Sequence, residues 1–257
     1  MEFQLTALPA FTDNYIWLLT DASGNAAVVD PGDAAPVAQA LAARHLKLRA
    51  VLVTHHHADH MGGAAALAGH HGCEVYGPSR EAAEAVDVPL ADGAEVEVPG
   101  LGARFRVLDI PGHTAGHIAF HGHGILFCGD TLFSAGCGHP FEGTPAQMYG
   151  SLAKLAALPA PTVVCCGHEY TVKNLRFAAL VEPDNTAVHR YAAECATRRA
   201  RGEPTLPSTL ALEREVNPFL RCERPTVMRS ASHHAGRPMQ DALETFAVIR
   251  GWKDGFS

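Results

Sequence analysis

The chain has 257 residues, long enough for one large domain or for a domain with a substantial appendage. Hydrophobic residues make up 47% and charged residues 18%, which excludes an intrinsically disordered chain. The formal net charge of −7 argues against a nucleic-acid partner, and no apolar run is long enough to cross a bilayer.

The opening "MEFQLTALPAFTDNY" has no basic segment followed by an apolar stretch, so a soluble cytoplasmic protein is expected. Cysteines 73, 128, 137, 165, 166, 195 and 222 are odd in number and form no C-x-x-C pair. Free thiols in a reducing compartment fit that usage better than a disulfide framework.

In chain order, "YIWLL" and "AAVVDPG" read as strands, "APVAQALAARH" as an alanine-rich helix and "LRAVLVTH" as a buried strand. "GGAAALAGHHG" reads as a helix closed by Gly72. Strands follow in "EVEV", "RFRVLDIPGH", "HIAFHG" and "GILFCGD". The helix "TPAQMYGSLAKLAAL" starts at Thr144 with Pro145 in its first position, and "TVVCCGHEY" is the last strand of the series.

After Tyr170 the texture changes. "KNLRFAALVE", "AVHRYAAECATRRARG", "STLALEREV" and "PMQDALETFAVIRGWKD" carry helical spacing with no strand runs between them, which puts a boundary near residues 170–174. The charge divides at the same place. Residues 1–170 carry −10 and thirteen of the 16 histidines, whereas residues 171–257 carry +3.

Chemistry concentrates in "VLVTHHHADHMGG". In extended backbone, side chains at i and i+2 point the same way about 6.5 Å apart, so His55 and His57 can converge on one metal while His56 points elsewhere. Asp59 and His60 face a second point as the chain turns into a helix. This mix of imidazole and carboxylate suits zinc, iron or manganese. The competing readings are a surface accident and a local hydrogen-bond cluster.

Two metals need more donors than these four. "VLDIPGHTAGH", "ILFCGD" and "VVCCGH" each place a glycine and then a possible ligand after an apolar strand: His113, Asp130 and His168. Glycine lets the backbone turn sharply, so the next side chain can enter a shared cleft. Repetition at four strand ends favours the metal reading. His56 is expected to be a non-ligand neighbour. His70 and His71 near a helix end, His121 and His123 in a hairpin turn, and His233 and His234 in a polar loop are expected at the surface. His117 is expected to have a supporting role rather than to coordinate.

Taken together, "FTDNYIWLL", "VVDPG", "THHHADHMGG", "PGHTAGH" and "GDTLFSAGCG" resemble the metallo-β-lactamase superfamily. "FEGT", "CGHEYT", "NLRFA", "NPFLR" and "RGWKD" narrow the resemblance, over nearly the whole chain, to the glyoxalase II or hydroxyacylglutathione hydrolase family.

That resemblance implies an α/β fold, an αβ/βα sandwich of two mixed sheets flanked by helices, followed by a C-terminal helical domain. The implied division is a metal-binding catalytic domain over 1–172 and a substrate-binding domain over 173–257. It also implies two divalent ions, zinc first with iron or manganese accepted. His55, His57 and His113 would hold one, Asp59, His60 and His168 the other, and Asp130 would bridge them.

Glutathione would be held by Tyr170, Arg250 and Lys253. Arg250 and Lys253 share one helix face at i, i+3, and glutathione carries two carboxylates. Where the family offers Lys or Arg and often an aromatic, this chain reads His139, Pro140, Phe141. Histidine, with a reference pKa of about 6.5, is mostly neutral at pH 7.

The implied reaction is hydrolysis of S-D-lactoylglutathione to D-lactate and glutathione, the second step of methylglyoxal detoxification. A water activated between the ions would attack the thioester carbonyl, with Asp59 and Asp130 as catalytic carboxylates. A thiol pKa of about 8.5 makes the leaving group easy to expel. The alternatives are an iron-dependent glutathione persulfide dioxygenase, another hydrolase of the superfamily, and a non-enzymatic metal-binding module. No membrane or nucleic-acid partner is expected, and the enzyme is expected to act as a monomer.

Overall fold

A computed structural model describes residues 3–81 and 85–256. Among the described residues, the first sheet orders its strands β1-β2-β3-β4-β5-β6: β1 Gln4–Ala10, β2 Asn14–Thr20, β3 Asn25–Val29, β4 Lys47–Leu52, β5 Glu74–Pro78 and β6 Val88–Leu90. β1, β2 and β3 pair antiparallel and β3 through β6 parallel, so the sheet is mixed. The second sheet runs β14-β13-β10-β9-β8-β7, with β7 Glu95–Glu97, β8 Arg104–Asp109, β9 Ile118–Gly122, β10 Ile125–Gly129, β13 Val163–Cys166 and β14 Ser208–Thr209. A small hairpin, β11 Leu132–Phe133 with β12 Gly136–Cys137, follows β10.

Alternation along β2 explains the layering. Trp17 and Leu19 join Leu52, Phe105, Phe120 and Phe127 in the core between the sheets. Ile16 and Leu18 point to the other face, where Val37 and Leu41 of α1 (Ala34–Ala43) and Ala64 and Leu67 of α3 (Ala64–His71) cover them. The short helix α2 spans Ala58–Met61. α4 (Pro145–Ala156) buries Met148, Leu152 and Leu155 and starts in a capping box. The Thr144 hydroxyl accepts from the Gln147 amide, and the Gln147 side chain accepts from the Thr144 amide.

Direction of travel sets the position of the functional residues. β10 is parallel to β13, and β8 reaches the same direction through two antiparallel steps across β9. The carboxyl ends of all three therefore lie at one edge of the second sheet. The loop after β4 meets that edge through the Ile118 amide, which donates to Thr54 O at 2.9 Å.

The tail forms α5 (Thr171–Val181), α6 (Thr186–Ala200), α7 (Leu210–Val216), α8 (Pro225–Ala235) and α9 (Ala242–Asp254). Three readings of it need correction. The tail is not free of strands: β14 pairs antiparallel with β13, with Val163 opposite Thr209. His233 and His234 lie in the last turn of α8 rather than in a loop, between Pro225 in the first turn and left-handed Gly236 at the end. The last helix starts at Ala242, not at Pro238, because Asp241 caps it by accepting from the Glu244 amide. β1, β5 and β6 escape the periodicity reading because each carries a proline or is very short.

The cap of α4 gives a direct test. Thr144→Ala removes the hydroxyl that accepts from the Gln147 amide, leaves the backbone donor at 144 in place and is expected to cost about 1 kcal/mol, read as a lower urea midpoint with an unchanged m-value.

Candidate metal centre

Four strand ends deliver the donors. Beyond β4, His55 is fully buried and His57, in extended conformation, is the N-cap of α2, which carries Asp59 and His60. Beyond β8, β10 and β13 come His113, Asp130 and His168, all nearly buried. The glycine before each fits where a side chain would not. A Cβ on Gly129, at φ +46°, would lie 2.3 Å from Thr54 Oγ1, and one on Gly167 would lie 2.5 Å from His60 Cε1 and 2.6 Å from Asp130 Oδ1.

The donors form two groups, His55 with His57 and His113, and Asp59 with His60 and His168. In the first, His57 Nδ1 lies 3.2 Å from His55 Nε2 and 3.0 Å from His113 Nε2. In the second, His168 Nε2 lies 3.4 Å from His60 Nε2 and from Asp59 Oδ2, and His60 Nε2 lies 3.5 Å from Asp59 Oδ2. Asp130 reaches both: Oδ1 is 3.3 Å from His60 Nε2, and Oδ2 is 3.2 Å from His168 Nε2 and 3.5 Å from His113 Nε2.

These spacings fit metal ions. Two donors on one tetrahedral zinc, each about 2.05 Å away, stand about 3.3 Å apart. Asp130 Oδ1 is buried and makes no aligned hydrogen bond despite its nearness to His60, leaving a lone pair aimed between the groups. Each group therefore offers a His-rich set suited to one divalent ion.

The electrostatics have the same sense. Burial drives His55 well below the ordinary imidazole pKa, which keeps it neutral with a lone pair to offer. Burial works to raise Asp130, but His60 and His168 outweigh it and hold the carboxyl well below its usual range. Burial works against charge on His168 too, and Asp130 and Asp59 overcome it, pushing its pKa up to about 10. The cluster thus calls for positive charge, which protons supply when no cation does.

Supporting contacts aim the donors. His168 Nδ1 meets Asp13 Oδ1 at 2.8 Å, His60 Nδ1 meets Asp30 Oδ2 at 3.1 Å, and His113 Nδ1 meets His139 O at 2.9 Å. Asn14 Nδ2 donates to Asp59 Oδ2 at 2.9 Å. The His117 ring stacks on His55 with centroids 4.4 Å apart, and its Nε2 accepts from the Asp130 amide at 3.2 Å. Sequence reasoning had quoted "FTDNY" and "VVDPG" without giving Asp13, Asn14 or Asp30 a task. The available signal was a polar residue at a strand end beside an apolar run.

Of the expected substrate residues, Tyr170, Phe141 and His139 touch this cluster. Tyr170, the N-cap of α5, stacks face to face on His168 with centroids 4.8 Å apart. Phe141, 67% exposed, meets the His113 ring edge-on at 5.3 Å. His139 Nδ1 lies 3.1 Å from Asp254 Oδ1. Arg250 is buried and partly engaged, donating to Cys137 O and to Asp254 Oδ1, each at 2.9 Å, while its Nε has no partner. Lys253 Nζ is buried without a hydrogen-bond partner, 5.0 Å from the Phe177 ring centroid. Burial lowers its pKa to about 8, with Arg250 and Lys173 adding to the shift.

Comparison with known proteins gives consistent matches. Residues 10–168 match the metallo-beta-lactamase superfamily model, and residues 169–256 match the model of the hydroxyacylglutathione hydrolase C-terminus. A hydroxyacylglutathione hydrolase of Alkalilimnicola ehrlichii is 54% identical over 252 residues, covering 98% of each chain. Among solved structures, ETHE1 from Myxococcus xanthus is 26% identical with a TM-score of 0.66, covering 99% of this chain and 100% of its own. TTHA1623, solved in a di-iron-bound form, is 25% identical with a TM-score of 0.57, covering 84% of this chain and 100% of its own.

Two changes test the centre by metal content alone. Gly167→Ala forces a methyl into His60 and Asp130 and is expected to lower bound metal per chain, counted by plasma mass spectrometry. Asp13→Ala leaves His168 in place without its outer partner and is expected to weaken metal affinity roughly 10–100-fold in a chelator titration.

Proposed function

Since the chain belongs to the hydroxyacylglutathione hydrolase family of the metallo-beta-lactamase superfamily, we propose that it hydrolyses S-D-lactoylglutathione and related 2-hydroxyacyl thioesters to the acid and glutathione. One observation carries the substrate: on the last helix the buried Arg250 and the buried ammonium of Lys253 keep polar atoms without partners, and Arg250 reaches Cys137 O two residues before His139. A buried ammonium with no anion is costly, and a ligand carboxylate removes that cost.

His55, His57 and His113 hold one divalent ion, Asp59, His60 and His168 hold a second, and Asp130 serves both. Zinc is the first choice, with iron and manganese accepting the same donors. When bound, the pair lowers the pKa of a shared water towards 7 and polarises the thioester carbonyl. Asp59, half exposed and fixed by Asn14, would accept a hydrogen bond from the attacking water and orient it towards the acyl carbon. The His168 contact keeps the Asp59 carboxyl below its usual pKa range, so it remains an acceptor at neutral pH. The sulfur leaves as a thiolate and needs no general acid, because a thiol of pKa about 8.5 is a good leaving group.

Tyr170, Arg250 and Lys253 take the glutathione end, with His139 and Phe141 beside them. The proposed division assigns residues 1–172 to metal binding and catalysis and 173–257 to substrate binding. The persulfide dioxygenase alternative is not favoured, given 54% identity to a hydroxyacylglutathione hydrolase over nearly the whole chain. Among the described residues no helix is long and apolar enough to cross a membrane. All seven cysteines are free, in keeping with a cytoplasmic site of action, and we assign the enzyme to act there as a monomer without a nucleic-acid partner.

The test is hydrolysis of S-D-lactoylglutathione by protein whose metals have been counted. Protein with two ions per chain and no thioesterase activity rules the proposal out. Lys253 adds a pH signature. It faces Arg250 on its own helix, Lys173 from α5 and Cys137 from the hairpin. With its pKa at about 8, the ammonium is present below that pH and lost above it. KM is therefore expected to rise between pH 7 and pH 9, and Lys253→Met should start from a higher KM and show little of this rise. A wild-type KM that stays flat across that window removes Lys253 from substrate binding.

A further inference from the structure

The middle histidine of "THHHADH" has a setting of its own. His56 points away from the two donor groups, with Nδ1 3.1 Å from Glu81 Oε2 and Nε2 3.2 Å from Glu142 Oε1. The Nδ1 contact is electrostatic and not an aligned hydrogen bond. Donor atoms of His56, His57 and Glu142 all lie within 4.8 Å of one another. His57 Nδ1 faces His55 and His113, so an outer ion would take Nε2, whose proton passes to solvent as the ring becomes an imidazolate shared between the inner and outer ions.

We propose that His56, His57 and Glu142 form a third divalent-cation site of zinc-binding type on the outer side of His57, and that filling it inhibits hydrolysis. The donor chemistry is one imidazole, one imidazolate and a carboxylate, a nitrogen and oxygen set that zinc accepts with a position left open, and uptake of the ion releases one proton. The 3.2 Å between His56 Nε2 and Glu142 Oε1 matches the separation of about 3.3 Å expected for two donors on one tetrahedral zinc.

The donors are also held ready. Glu142 Oε2 accepts from the Ala115 amide at 2.8 Å, which leaves Oε1 facing the group. Glu81 accepts from Thr114 Oγ1 at 2.8 Å and from the Gly116 amide at 3.0 Å, and so sits fixed against His56 Nδ1. Glu81 thus supports the His56 ring by charge at 3.1 Å.

Access and consequence follow from exposure. The side chains of His56 and Glu142 are 35% and 38% exposed, so free zinc can reach them while the inner donors stay filled. Glu142 directly follows Phe141 and lies in the segment whose His139 carbonyl meets His113. An ion on Glu142 and His57 ties that segment down beside the substrate residues and draws electron density from an imidazole of the first group. With three protein donors, one of them shared, the outer site should be weaker than the inner ones.

The experiment adds zinc chloride to the metal-loaded enzyme and to His56→Asn and Glu142→Gln. Bound ions are counted by native mass spectrometry, and thioester hydrolysis is followed in parallel. The amide of Glu142→Gln can still accept from the Ala115 amide, so the loop keeps its anchor. Wild type is expected to take up one equivalent more than either variant and to lose activity as that equivalent binds. The zinc concentration for half inhibition should rise at least roughly tenfold in the variants. Equal ion counts in all three proteins, as expected of a plain imidazolium–carboxylate pair, overturn the proposal. So does inhibition at the same zinc concentration in wild type and variants, or a third equivalent that leaves the rate unchanged.

Discussion

Crowding of donors around two points is the constraint on which the rest of the structure depends. Six ring nitrogens and carboxylate oxygens crowd into the two groups, His57 standing 3.0–3.2 Å from its two neighbours and Asp59, His60 and His168 3.4–3.5 Å from one another, with Asp130 reaching both. A single proton can satisfy one such pair, but not three lone pairs aimed at one point. His55 and His60 are almost completely buried, so water cannot relieve the conflict. The chain must supply the rigidity that a cation otherwise would, and two face-to-face sheets do so by ending four strands at neighbouring places. The glycines at 129 and 167 belong to the same solution, because a side chain at 167 would occupy the space of His60 and Asp130 and one at 129 that of Thr54 and His117.

The donors were legible because they are encoded locally. Each follows a short apolar run and a turn, and H-x-H-x-D-H fixes its two directions by the two-residue period of extended backbone. Asp13 and Asp30 were not legible in the same way. Each acts on a histidine far along the chain, at a sequence separation of 155 and 30 residues, and no local period links the partners. His56, expected as a non-ligand neighbour, stands apart from the inner donors. Its partners, Glu81 and Glu142, come from two distant loops and could not be anticipated from "THHHADH" alone.

The fold shows the same division between local and distant encoding. β2, β4, β8 and α4 were readable from periodicity and caps, whereas β14 exists only because β13 offers it an edge. That two-residue strand matters beyond its size, because it ties the tail to the sheet that carries Asp130 and His168. Asn217 extends the tie, donating to Phe133 O at 3.1 Å and Gly136 O at 2.9 Å in the hairpin after Asp130. Glu213 accepts from the Ala135 amide at 2.8 Å in the same hairpin. The tail therefore braces the segment that runs from Asp130 towards His139.

This bracing bears on how substrate and metal are coordinated. Arg250 donates to Cys137 O, two residues before His139, and His139 in turn accepts from His113 through its carbonyl. Arg250 is thus two hydrogen bonds from an imidazole of the cluster, joined by one continuous stretch of backbone. The charge division of the chain has a physical basis in that arrangement. The acidic body must hold Asp59 and Asp130 among the histidines, and the basic tail must hold Arg250 against Cys137 O and Asp254. Both requirements meet across residues 130–139, which explains why buried polar contacts, rather than apolar packing alone, fix this stretch in place.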